Sequence, residues 1–256
     1  NFAMICVFEN GKADVRFTAA SNGGHASTPK KHSPIARLSA FVNDIETHRV
    51  FKRKMPREVA AMFRTLAPYA SFPLKLVFSN LWLFRPLLLQ ALPLISAQAG
   101  AMIQTTMAFT MQSGSDAFNV MPQKATLGAN MRFIPHQGMD ESLRIIEELA
   151  KKHDIETRVI LASDYTQAVD IHGPAWQRAV RVVEKTFPGL PTSPYVMTGA
   201  TDARFYEEIA DHVVRFAPVI YGPEQMKGMH GLNENITCAC LPGAVDFYRN
   251  LIAANQ

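Results

Sequence analysis

A mixed α/β fold is predicted by three features of this 256-residue chain: four segments alternating apolar and polar residues, two amphipathic helical stretches among them, and a change of texture near residue 163. These six elements run β, α, β, β, α, β, which is the order of a ferredoxin-like sandwich. The remainder, 163–256, reads as a second α/β part.

The chain opens NFAMICVFENGK, an apolar run without a basic lead. It reads as a strand rather than a signal peptide, and so early a strand leads us to expect further sequence ahead of Asn1. ADVRFTA follows, with Val15, Phe17 and Ala19 directed inward. SPIARLSAFVNDIETH is a helix with Ser33 as N-cap and Pro34 in its first turn. The block of about 50–103, rich in Leu, Phe, Trp and Pro, reads as a helical insertion. Its stretch 86–103, PLLLQALPLISAQAGAMI, is uncharged but interrupted by Pro86, Gln90, Pro93, Ser96 and Gln98, and preceded by Lys75 and Arg85. A buried or interface helix pair is expected there rather than a span, and a membrane is not expected as a partner.

TTMAFTM is the second sandwich strand, with Met107, Phe109 and Met111 inward. ATLGANMRF is the third, with Leu127, Ala129, Met131 and Phe133 inward. MDESLRIIEELAKKH repeats apolar residues at Met139, Leu143, Ile146 and Leu149, at helical spacing. IETRVIL closes the sandwich with Ile155, Thr157, Val159 and Leu161 inward. Beyond 163, HGPAWQRAVRVVEKTF is a helix, PYVM a strand, DARFYEEIA a short helix, HVVRF a strand and LPGAVDFYRNLIAAN a closing helix. The domain division expected is 1–10 as a connecting strand, 11–162 as the sandwich with its insertion, and 163–256 as the second part.

A content of 48% hydrophobic residues supports a sizeable core and excludes disorder. The 26 Lys+Arg against 22 Asp+Glu give only +4, and the one dense basic run, HRVFKRKMPR at 48–57, has no interleaved aromatics, so no nucleic-acid partner is expected. Cys6, Cys238 and Cys240 cannot all pair, which points to a reducing compartment and a cytoplasmic location.

Five stretches hold groups suited to chemistry. NGGHASTP sets His25 beside two glycines at a strand end, and AFNVMPQKA places Asn119 between two strands. NMRFIP puts Arg132 on the polar face of its strand with Thr126 and Asn130. TGATDARFY holds Asp202, which reads as a helix cap, and Arg204, which opposes the helix dipole and so needs another reason to be there. KGMHGLNENI carries His230 between Gly228 and Gly231, with Glu234 close behind.

In order, GGHAS.P, NVMP, NMR.IP, G.TDARFY, VRFAP and HG.NE resemble the co-catalytic zinc exopeptidases and amidohydrolases that include carboxypeptidase S, aminoacylase, glutamate carboxypeptidase and succinyl-diaminopimelate desuccinylase. The likeness is greatest to the carboxypeptidase S branch. It implies a ferredoxin-like lid that dimerises, inserted in a catalytic domain holding two zinc ions, and a substrate that is a peptide or N-acyl amino acid. His230 then matches a zinc ligand, and His25 the lid histidine that stabilises the oxyanion in the partner's site. Asn119, Arg132 and Arg204 match groups that hold the substrate's carbonyl or carboxylate.

The pattern is incomplete. A two-zinc site needs about five ligands and a carboxylate base, yet the sequence has no His-x-Asp. The reversed pair Asp170 and His172 falls in a linker. Glu147 with Glu148 and Glu207 with Glu208 read as solvated helix faces, and Glu234 as a structural residue. The resemblance therefore implies the lid plus the C-terminal part of the catalytic domain of such a hydrolase, inactive alone. The alternative is a non-catalytic dimerisation or interaction module.

Overall fold

The computed structural model describes residues 1–255. Strand β1 (Ala3–Glu9) leads through Asn10 into β2 (Gly11–Ala20), and β3 (Gly24–His25) follows as a two-residue strand. Helix α1 (Pro34–Thr47) starts where Ser33 caps it, its hydroxyl accepting from Ala36 N at 3.4 Å. The insertion forms α2 (Arg57–Leu66), α3 (Phe72–Ser79), α4 (Leu81–Ile95) and α5 (Ala97–Ala101). Then come β4 (Thr106–Ser113), β5 (Val120–Met121), β6 (Lys124–Phe133), α6 (Met139–Lys152) and β7 (Glu156–Ser163). The last part contains α7 (Pro174–Thr186), β8 (Thr192–Met197), α8 (Pro223–Gly228) and α9 (Leu241–Ala253).

The sheet order β4-β6-β2-β7, antiparallel throughout, with α1 and α6 supplying the helices, is the ferredoxin-like sandwich that the sequence predicts. Its core is Ala13, Val15 and Phe17 of β2 and Leu127, Met131 and Phe133 of β6, closed over by Leu38, Phe41 and Ile146 from the two helices.

Two inward assignments fail at the edges. Register shifts between Phe109 and Met111 in β4, and opposite Asp14 and Val15 in β7, each turn the chain by one residue. Met111 is consequently 69% exposed and Leu161 50% exposed, while Ala162 packs inward in place of Leu161. Both are outer strands, where a displaced side chain meets solvent rather than a packed neighbour.

A second core surrounds the parallel pair β1 and β8. All of β1 but Met4 is buried, as a strand covered on both faces requires. Val59 and Phe63 of α2, Leu88 and Leu92 of α4, Val183 of α7 and Phe247 of α9 close it. The insertion interrupts the sandwich in sequence, but it packs in this second core. HVVRF does not form the expected strand; it contributes one antiparallel bridge, Cys6 to Arg215, with backbone bonds of 2.8 and 3.2 Å.

Candidate active-site residues

His25 and Asn119, which the sequence leaves 94 positions apart, are brought together by the β3–β5 ladder. His25 pairs with Val120, and Ala26 N donates to Asn119 O at 3.0 Å. The turn into β3 requires its glycines, since Gly23 has φ of 67° and Gly24 of 140°. His25 is exposed, and its Nδ1 accepts from Ser27 N at 3.2 Å and faces Ser27 Oγ at 2.8 Å. A backbone N–H can only donate, so this contact makes Nδ1 the acceptor and places the ring proton on Nε2. That tautomer turns a donor outward.

Arg132 lies near the other end of β6, half-buried and opposite Lys12 of β2. Its Nε donates to Asn130 Oδ1 at 3.0 Å, and Asn130 in turn donates to Asp14 at 2.8 Å. The two terminal nitrogens of the guanidinium take no protein acceptor among the described residues. Burial is the main influence lowering its pKa, Asp14 opposes the fall, and the nearby Arg204 adds to it. A cation held this way offers a free planar fork to a carboxylate.

Arg204 is committed inward. Its terminal nitrogens donate to Ser163 Oγ and, at 3.1 Å, to Asn10 O, while its Nε lies 3.6 Å from Glu9. To fork a ligand it would have to release one of these groups. Glu9 itself is fully buried and is the centre of a network absent from the sequence reading. Its carboxylate accepts from Arg215 Nε at 2.9 Å, Thr201 N at 3.0 Å and the Thr201 hydroxyl. Arg215 continues to Glu207 at 2.9 Å, so Glu207 is an ion-pair partner rather than part of a solvated face. Thr201, not Asp202, caps the short helix Asp202–Glu208, accepting from Ala203 N at 3.2 Å. The signal for this network was one carboxylate ending an otherwise apolar strand and one arginine between apolar neighbours in VVRFAP. Beside it, burial pushes the Cys6 thiol up to about 11, which removes thiolate chemistry from this region at neutral pH.

His230 is exposed on the loop after α8, and it is His230 (φ 57°) and Asn233 (φ 61°) that take the left-handed backbone there, not Gly228 or Gly231. Among the described residues no group of three or more His, Cys, Asp or Glu is placed to hold a metal ion. The residues present therefore do not fit a complete zinc site, and His230 could supply one ligand of it. Asp170 accepts from His172 N at 2.9 Å in a local turn, Glu148 pairs with Arg144, and Glu234 is exposed.

The two sets of groups are far apart. Lys12 pairs with Arg132 and Ala20 with Lys124, so the two ends of the ladder are eight residue steps apart along β2. At about 3.3 Å per residue the separation is roughly 25 Å. Within one chain, His25 and Asn119 stand at one end of the sandwich and Arg132 and Arg204 at the other.

A ferredoxin-like sandwich carrying a histidine on an outward ladder, joined to an α/β core with a second exposed histidine on the loop between α8 and α9, fits a peptidase lid on part of its catalytic domain. The family profile described as "Peptidase dimerisation domain" matches residues 9–158, and the chain belongs to this M20 peptidase family. Among its relatives is the N-fatty-acyl-amino acid synthase/hydrolase PM20D1 of Xenopus tropicalis, 30% identical over 98% of this chain and 49% of that protein. The probable carboxypeptidase S-like 2 of Dictyostelium discoideum is 25% identical over 98% of this chain and 48% of that protein. The chain thus spans about half the length of the curated relatives it matches. The fold is shared with the dipeptidase Dug1p from Saccharomyces cerevisiae (TM-score 0.65, 11% identity, 99% of this chain and 56% of that one). Human carnosine dipeptidase 1 shares it as well (TM-score 0.62, 13% identity, 99% and 56%).

Proposed function

We propose that this chain is the lid and the C-terminal part of the catalytic domain of a zinc-dependent metallopeptidase or N-acyl-amino-acid hydrolase, cleaving an amide bond next to a free carboxylate. The units are 1–10 as the connecting strand, 11–162 as the lid and 163–256 as the catalytic part, with the insertion of about 50–103 packed beside the latter. The observation that carries the reading is the free fork of Arg132 at the Arg204 end of the sandwich. A half-buried cation whose terminal nitrogens lack an acceptor is prepared for a carboxylate ligand.

In this reading Arg132, beside Arg204, holds the substrate carboxylate, and Asn119 holds a carbonyl. His25, with its proton on Nε2, donates to the oxygen that gains charge as the amide is attacked. His230 gives one imidazole to the metal centre, and the remaining ligands and the base lie outside this chain. The roughly 25 Å between the two clusters supports a homodimer through the lid, in which His25 and Asn119 serve the partner's site.

The experiment combines zinc titration and peptidase assay of the chain with a reading of its gene upstream of Asn1. The expected result is weak zinc binding, no turnover, and an upstream His-x-Asp and Glu-Glu pair. Tight stoichiometric zinc or turnover by this polypeptide alone would overturn the proposal, and a start codon at Asn1 would favour a non-catalytic dimerisation module.

A further inference from the structure

Strand register gathers more positive charge at the Arg132 end of the sandwich than one carboxylate can answer. Lys12 of β2 lies directly opposite Arg132 on one side and Ser163 on the other, so Arg132, Lys12 and Ser163 form one row across β6, β2 and β7. Directly opposite residues of antiparallel strands share a face, with Cβ atoms about 4.5–5.5 Å apart. The row lies on the face away from the helices, because the alternating neighbours Ala13 and Met131 fill the sandwich core. Arg204 closes the row at its far end, its guanidinium on the Ser163 hydroxyl. Three cations thus stand along one row, and like charges placed directly opposite weaken a sheet.

Two carboxylates of the neighbourhood are already engaged. Asp14, next along the same face of β2, accepts from Asn130 at 2.8 Å, and Glu9 is shared between Arg204 and Arg215. Lys12 itself is half-buried and joins no ion pair among the described residues.

We propose that Lys12 selects substrates whose carboxylate-bearing residue is itself acidic, an N-acyl or peptidyl aspartate or glutamate, with the Arg132 fork taking the terminal carboxylate and Lys12 the one on the side chain. This rests on the hydrolase reading above and names the substrate class of that same site. A substrate with one negative charge satisfies Arg132 and leaves the Lys12 ammonium beside it without a counter-charge. A second carboxylate, a short carbon chain away from the first, suits the spacing of directly opposite residues and answers that charge. Both cations stand on the unbroken β2–β6 ladder, so their separation is set before any ligand arrives. A neutral side chain of the same shape would desolvate Lys12 without pairing it, which turns the cation into a selective element.

Hydrolysis of an N-acyl-glutamate and the matching N-acyl-glutamine by the complete hydrolase tests this, since the two differ in charge and hardly in shape. The ratio of kcat/KM should favour the glutamate compound by about tenfold or more. Lys12→Met, which keeps the apolar stem, should bring that ratio to within about threefold of one through a higher KM for the glutamate compound, and Lys12→Arg should retain it. A ratio near one in the unaltered enzyme, as when a carboxylate from elsewhere in the protein neutralises Lys12, overturns the proposal. So does a preference for glutamate that Lys12→Met leaves in place. Turnover of neither compound counts against the hydrolase reading instead, and titration calorimetry with the same two compounds then decides the role of Lys12 by the same ratio of affinities.

Discussion

Glu9 is the residue on which the second core turns, because it is a fully buried carboxylate in contact with two arginines and a hydroxyl. Removing one partner of a buried ion pair leaves an uncompensated charge, and the cost is typically about 3–5 kcal/mol. Glu9→Gln, which keeps the shape but not the charge, should therefore lower unfolding stability in urea by that order; a loss under about 1 kcal/mol would mean that Arg215 is satisfied by Glu207 alone. The candidate site residues were legible in the sequence because each sits in a short motif with glycine, proline or a charged neighbour. Glu9 and Arg215 were not, since their pairing closes a separation of 206 positions and the local signal of each, a lone charge among apolar neighbours, does not name its partner. The commitment of Arg204 to Ser163 and Asn10 was hidden for the same reason.

At the scale of elements, periodicity gave the central strand pair correctly because β2 and β6 pair residue for residue without a break over their lengths. It gave the outer strands only in part, since a bulge reverses the inward face without changing the composition. This has a measurable consequence. Met111→Thr and Leu161→Thr, conservative of strand propensity at exposed positions, should each change stability by no more than about 0.5 kcal/mol, whereas Phe17→Ala at a fully buried position should cost about 3–5. Thermal or urea unfolding of the three variants separates the readings, and a loss above about 2 kcal/mol from Met111→Thr would restore the unbulged register. The two-residue strands β3 and β5 were beyond periodicity altogether. They exist because Gly23 and Gly24 let the chain turn back at left-handed φ values onto the segment following Asn119.

Across the whole molecule, the decisive quantity is the length of the sandwich. A substrate that touches His25 and Arg132 of the same protomer would have to bridge roughly 25 Å of strand, far more than the few ångströms between the carbonyl and carboxylate of an amino-acid derivative. Two copies related by a two-fold axis remove the difficulty, because each can offer its His25 end to the other's Arg132 end. Under the proposed function, the expected consequence is complementation in the complete hydrolase. His25→Ala and Arg132→Ala homodimers should each lose activity by about a hundredfold or more, since each lacks a group in both of its sites. In a mixed dimer both altered groups fall in one site, where the His25→Ala protomer should have supplied the histidine and the Arg132→Ala protomer the arginine. The other site receives an intact His25 and an intact Arg132. Co-purified mixed dimers should thus recover about half the activity of the unaltered enzyme, with an unaltered KM, by counting of sites. If the mixed dimer is as inactive as its parents, His25 and Arg132 serve the same protomer, and the lid must then bend or detach to bring its two ends together.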